Sequence, residues 1–182
     1  LRIGSKTQSR NTERGRLDGK LYDATGERLV TVYGKKRERR YRYYVSVSLR
    51  DGLRQHAQQG WRLPGLQVDQ MVENAITPLL RDKNLITSHL QQSDLPAADW
   101  PRITHALEQM PIPNAIVTLL QRVTIHDDHV QLQLSLASLI TPDTEAPIIT
   151  HTIPIQMKRR GVEMRLVIAS DSTIRKDQNL IK

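Results

Sequence analysis

"KKRERRYRYYVSVS", residues 35–48, is the stretch on which the reading of this chain turns. In and just beyond it Tyr41, Tyr43, Val45, Val47 and Leu49 alternate with Arg40, Arg42, Tyr44, Ser46 and Ser48. Apolar–polar alternation with period two marks a half-buried strand. It predicts a strand that packs through Tyr41, Tyr43 and Val45 and presents Arg40, Arg42, Tyr44, Ser46 and Ser48 on an exposed face. The preceding "GRLDGKLYDATGERLVTVYG", residues 15–34, carries Asp23-Ala24-Thr25-Gly26 between Leu17–Tyr22 and Arg28–Tyr33, a hairpin signal. Gly34–Arg39 then reads as a charged loop. The three strands make a basic β-ribbon over residues 15–60. A ribbon this small is marginally stable alone, so it must lean on a helix, a partner or DNA.

Charge is distributed unevenly around that ribbon. Residues 1–50 hold 14 Lys/Arg against 5 Asp/Glu, whereas the other 132 residues hold 13 against 14. All the excess behind the net charge of +8 therefore sits in the first quarter. The protein's five tyrosines, Tyr22, Tyr33, Tyr41, Tyr43 and Tyr44, are interleaved with it. Clustered cations beside planar rings are what a nucleic-acid backbone attracts; a merely solubilising charged arm is the blander reading.

The rest of the chain divides by pattern. Residues 1–14, polar and aperiodic, read as a flexible leader. Residues 61–121 read as helical. Leu66, Val68, Met71, Val72, Ala75 and Ile76 recur at helical spacing, with a break expected at Thr77-Pro78. A further helix is expected over Ala97–Met110, and another over Ala115–Gln121 capped by Asn114. Residues 122–168 alternate as antiparallel strands: Arg122–His126, Val130–Leu136, Ile148–Met157 and Val162–Ile168. "TPDTEAP" at 141–147 is a loop between them. Residues 169–182 form a tail without a C-capping signal, which reads as truncation, as does Leu at position 1. The fold class expected is α+β: a basic N-terminal β-ribbon, central helices and a small antiparallel β-sheet.

Little in the chain points to chemistry. It has no Cys, so neither a disulfide framework nor a thiolate metal site is available. His126-Asp127-Asp128-His129 is the single metal-like cluster, and Asp-Asp there is ordinary turn chemistry. No phosphate-binding glycine loop, nucleophile signature or carboxylate pair is evident, so no cofactor and no catalysis within this chain are expected. No apolar run is long enough to span a membrane. No signal peptide is evident. These features and the lack of Cys fit a cytoplasmic protein.

The segment "GRLDGKLYDATGERLVTVYGKKRERRYRYYVS" resembles the β-ribbon region of large serine recombinases, in the resolvase/invertase superfamily. Tyr41-Arg42-Tyr43-Tyr44-Val45-Ser46 is its most specific part. "KRRGVEMRLVI" at 158–168 resembles a second segment of the same branch, and "RLPGLQVDQMVENAI" at 62–76 the helix between them. Zinc-ribbon relatives place Cys-x-x-Cys at the first hairpin, where Asp23 and Gly26 stand here. Ser46 stands where a later Cys would follow. The resemblance thus implies a ribbon without zinc, held by packing through Leu21, Leu29, Tyr41, Tyr43 and Val45. It also implies a DNA-binding, non-catalytic part of a recombinase, with the catalytic serine on a domain this chain does not contain. The partners implied are double-stranded DNA and further protomers of a recombinase dimer or tetramer. Lys35, Lys36, Arg37, Arg39, Arg40 and Arg42 are the expected phosphate contacts, and Tyr44 the expected contact to sugar or base. Two other readings stay open: an RNA- or single-strand-binding module, and an assembly domain that joins protomers through residues 61–168.

Overall fold

The computed structural model describes residues 15–36, 38–52, 60–93, 95–140, 147–160 and 163–168; Lys36 and the residues from 157 onward are described by backbone alone. The leader 1–14, Arg37, most of the 141–147 loop and the tail 169–182 lie outside the described residues. The architecture is α+β, as expected. One sheet has the order β2-β3-β4 (Leu29–Lys36, Arg39–Ser46 and Arg62–Pro64). The other has the order β1-β5-β6-β7-β8 (Leu21–Asp23, Leu120–Ile125, His129–Ser135, Ile148–Arg160 and Glu163–Ile168). Five α-helices fall among the described residues: α1 (Val47–Arg50), α2 (Gly65–Arg81), α3 (Lys83–Gln91), α4 (Trp100–Gln109) and α5 (Ile112–Thr118).

The first hairpin departs from expectation. Asp23–Gly26 does form a turn, tightened because Asp23 Oδ1 accepts from the backbone N–H of Thr25 and Glu27, each at 2.9 Å. Gly26 sits at φ 86°, a left-handed conformation that costs glycine little. Yet its arms pair through an isolated bridge, Tyr22↔Arg28, rather than a ladder. β1 instead pairs in parallel with β5, Leu21 opposite Val123. Lys20 reinforces that docking by donating from Nζ to the carbonyls of Ile116 and Val117, at 2.7 and 2.8 Å. Burial lowers the Lys20 pKa. The real hairpin is β2–β3, and β3 ends at Ser46; Val47, Ser48 and Leu49, read as strand, lie in the helical turn α1.

The ribbon shares its hydrophobic core with the elements that follow it. Leu17, Leu21, Leu29 and Tyr44 belong to the same hydrophobic cluster as Val68, Ile76, Ile103, Ile116 and Leu132. The support a small ribbon needs comes from α2 and from the sheet that β1 joins.

α2 buries Val68, Met71, Val72, Ala75, Ile76, Leu79 and Leu80, an apolar stripe at three- and four-residue steps. The helix runs through Pro78 where a break was expected. An interior proline costs about 3 kcal/mol. Burying two leucines just beyond it, at about 1.5–3 kcal/mol each, offsets that. Asp82 then caps α3, its carboxylate accepting from the N–H of Asn84 and Leu85 at 2.9 and 3.2 Å. Arg81 reaches across to the carbonyls of Leu107 and Met110 at the end of α4, at 2.9 and 2.8 Å. α5 starts at Ile112 behind Pro111, with Pro113 in its first turn. Asn114 is thus inside the helix rather than its cap, because proline suits the first helical turn. Gln121 lies in β5.

β5, β6 and β7 form an antiparallel meander close to the ranges expected, with Val130, Leu132 and Leu134 buried. His151 on β7 pairs with Leu132, so it shares that inward face and is half-buried. Burial, and then the charge of His89, lower its pKa below the usual 6.5. The folded state therefore favours neutral His151. That stability is complete above the unfolded value and is lost as pH falls through the lowered folded value. Thermal melts at pH 7 and pH 5 should show a smaller acid-induced loss of Tm in His151→Leu than in the parent.

Candidate nucleic-acid interface

β3 is graded along its length. Arg39, Arg40 and Tyr41 are exposed, Arg42 and Tyr43 are intermediate, and Tyr44, Val45 and Ser46 are buried. The hairpin projects its basic end beyond the core and anchors its apolar end inside it. Pairing sets Lys35 opposite Arg40 and Tyr33 opposite Arg42. Directly paired residues share a face, so Tyr33, Lys35, Arg40, Arg42 and Tyr44 line one side of the hairpin.

Tyr44, expected as a contact to sugar or base, is fully buried at 0% exposure. Its hydroxyl donates to Asp69 Oδ1 at 2.7 Å and accepts from the Leu17 N–H at 3.3 Å. Burial, first, and the Asp69 carboxylate push its pKa far up, so the phenol stays protonated. The space around it is tight: a Cβ on Gly15 would lie 2.6 Å from the Tyr44 hydroxyl. Arg42, expected as a phosphate contact, is ion-paired with Asp69 Oδ2 and lies over the Tyr44 ring, 5.8 Å from its centroid. Its side chain is 24% exposed and that of Asp69 only 9%. Tyr44 and Arg42 therefore hold the strand to α2. Sequence pattern missed Asp69 because a lone Asp on a helix carries no signal until β3 is laid beside it.

The alternation expected for β3 gives way to a gradient along the strand that runs over both faces. Tyr41 is 41% exposed, while Tyr44 and Ser46 are at 0%. Ser46 Oγ accepts from the Trp61 N–H at 2.9 Å, and Ser48 Oγ donates to Glu27 at 3.0 Å. Neither serine faces solvent. The physical reason is supply of partners: α2, Trp61 and Glu27 offer hydrogen bonds to the Tyr44 hydroxyl and to the two serines, which lowers the cost of burying them. Of the five packing residues expected, Leu21, Leu29 and Val45 are buried, Tyr43 is partly so and Tyr41 is not.

Lys35, Arg39 and Arg40 remain exposed at the hairpin's outer end, and none is ion-paired with an acid among the described residues. Arg40 lies over the Tyr33 ring at 4.8 Å, and Arg62 over the Tyr43 ring at 4.0 Å. Guanidinium stacked on an aromatic face keeps its outward N–H groups available for anions. The side chains of Lys36 and Arg37 fall outside the described residues.

Asp23 and Ser46, compared above with the cysteine positions of a zinc ribbon, both serve as buried acceptors for backbone N–H groups. These residues do not fit a zinc ion, whose structural sites draw on thiolate and imidazole ligands. Elsewhere His126 and His129 stack at 4.0 Å, and His129 Nδ1 lies 2.6 Å from Asp128. Among the described residues no three His, Asp or Glu side chains converge as a metal site would need. A chelator such as EDTA should leave the melting temperature within a degree or so of its original value, and metal analysis should find less than 0.1 zinc per chain, on the order expected for carry-over. Among the described residues, no helix is long and apolar enough to cross a membrane. Compared with family models, curated proteins and solved structures, the chain matches none of them.

Proposed function

We propose that this chain holds double-stranded DNA within a serine site-specific recombinase, self-associated as a dimer or tetramer, whose catalytic serine belongs to a different domain. The observation that carries the reading is the free basic end of the β2–β3 hairpin, where Lys35, Arg39 and Arg40 are exposed without acidic partners among the described residues. The resemblance of Tyr41–Ser46 and of residues 158–168 to the recombinase branch supports the same reading. Phosphate contacts of this kind position a protein on DNA without reading its sequence.

Salt titration tests it. Each phosphate contact contributes about −0.9 to the slope of log K against log salt, so these three residues alone imply a slope of about −3. Anisotropy titrations on a duplex of roughly 20–30 base pairs from 50 to 200 mM salt would measure it. A slope near zero, or association of the protein with itself and no binding of DNA, would favour an assembly domain.

A further inference from the structure

Beside the basic hairpin end lies a cleft of about 550 Å³. It exists because β4 stops early. Pro64 is the last residue of β4 paired with β3, opposite Tyr43, so among the described residues the edge of β3 away from β2 has no strand beside it from Arg39 to Arg42. The chain turns there into α2 at Gly65, which packs so closely that a Cβ would meet Arg42 Nε at 2.8 Å and the Arg42 carbonyl at 3.0 Å. The open strand edge and the first turn of α2 enclose the space. Tyr41, Tyr43, Pro64 and Leu66 give it apolar and aromatic walls, Arg40 a cation and Gln67 an amide.

Three observations specify the occupant. Its volume falls within the range of pockets that hold small organic groups, roughly 300–1,000 Å³. Large apolar side chains are left open at its mouth, Tyr41 at 41% and Leu66 at 65% exposure. Gln67 Oε1 and Arg42 Nε, on two residues that line the cleft, are both buried without a hydrogen-bond partner among the described residues. An acceptor and a donor buried without partners are costly, so the site is completed by a group that brings both an N–H and an acceptor. A phosphate offers acceptors alone and cannot satisfy both, whereas the pairing edge of every nucleobase carries an N–H and an acceptor. A nucleobase offers a flat face for the tyrosines and at least one N–H on its pairing edge.

We infer that this cleft holds one unpaired nucleobase of the bound DNA, stacked against Tyr41 and donating an N–H to Gln67. The inference rests on the DNA-binding reading above, with Arg40 at the rim for the adjoining phosphate. Every base carries such an N–H, so the cleft distinguishes an unpaired base from a paired or missing one rather than one base from another.

The test compares three duplexes of equal length on the full chain: fully paired, with a single-base bulge, and with an abasic bulge at the same place. The two bulged duplexes carry the same phosphate charge. Stacking of one base should make the base-bearing bulge bind about tenfold more tightly than the abasic one. That preference should vanish in Tyr41→Ala and persist in Tyr41→Phe, which keeps the ring. It should fall in Gln67→Leu, and all three variants should bind the paired duplex as the parent does. Circular-dichroism melts confirm that each variant is folded. Equal affinity for the two bulges, with the paired duplex still bound, overturns the cleft and leaves the DNA interface standing. A preference that survives Tyr41→Ala also overturns it, since the base then lies elsewhere. Failure to bind any of the three removes the DNA reading and the cleft with it.

Discussion

Replacing Asp69 by Ala should lower the melting temperature by about 10 °C. Asp69 is the single carboxylate joining two groups on β3: Oδ1 accepts from the Tyr44 hydroxyl, and Oδ2 pairs with Arg42. Its removal leaves the fully buried hydroxyl with no acceptor and a largely covered guanidinium with no counter-charge. Breaking a buried pair from one side costs about 3–5 kcal/mol. A chain of this size loses roughly 2–4 °C per kcal/mol. Asp69→Asn keeps an acceptor for Tyr44 and should lose less. Tyr44→Phe removes one hydroxyl and should cost about 1–2 kcal/mol. A thermal melt of each, with the Asp69→Ala/Tyr44→Phe double variant, measures the coupling. If Asp69→Ala melts within 2 °C of the parent, below roughly the effect of 1 kcal/mol, the carboxylate does not anchor the strand.

Reversing Lys35, Arg39 and Arg40 to Glu together should weaken duplex binding by at least about 100-fold near physiological salt, the size of three lost counterion-release contributions. The loss should be alike for unrelated sequences, because phosphate contacts carry no sequence information. Melting should be unaffected, since all three side chains are exposed and outside the core. Arg42 is left out deliberately. Its reversal would set two acids together beside Tyr44, and a loss of binding would then report a damaged fold. Anisotropy with two unrelated duplexes reads the outcome. A change smaller than about threefold would remove the hairpin end as the contact surface.

Much of the fold is legible in local pattern. Alternation at Val130, Leu132 and Leu134 and the three- and four-residue steps from Val68 to Ile76 identify β6 and α2 correctly, because each element's period matches the face it buries. Asp23-Ala24-Thr25-Gly26 is a turn on the strength of its own side-chain hydrogen bonds. The charge gradient from Lys35 to Ser48 also locates the exposed end of the hairpin, since desolvating several unpaired cations is prohibitive in any packing.

Other features depend on which elements meet in space. No local signal states that Leu21 pairs with Val123, about a hundred positions away along the chain, or that α2 tolerates Pro78 because Leu79 and Leu80 reach the core. The face of β3 is the clearest case. By sequence, Tyr41, Tyr43 and Val45 form the more apolar side and should be inward. Tertiary structure buries Tyr44 and Ser46 along with Val45 and leaves Tyr41 exposed, because Asp69, the Leu17 N–H and the Trp61 N–H are waiting for the polar groups. Hydrophobicity ranks side chains by their cost of leaving water. Whether a tyrosine or serine meets that cost depends on partners that only the folded chain brings within 3.5 Å of it.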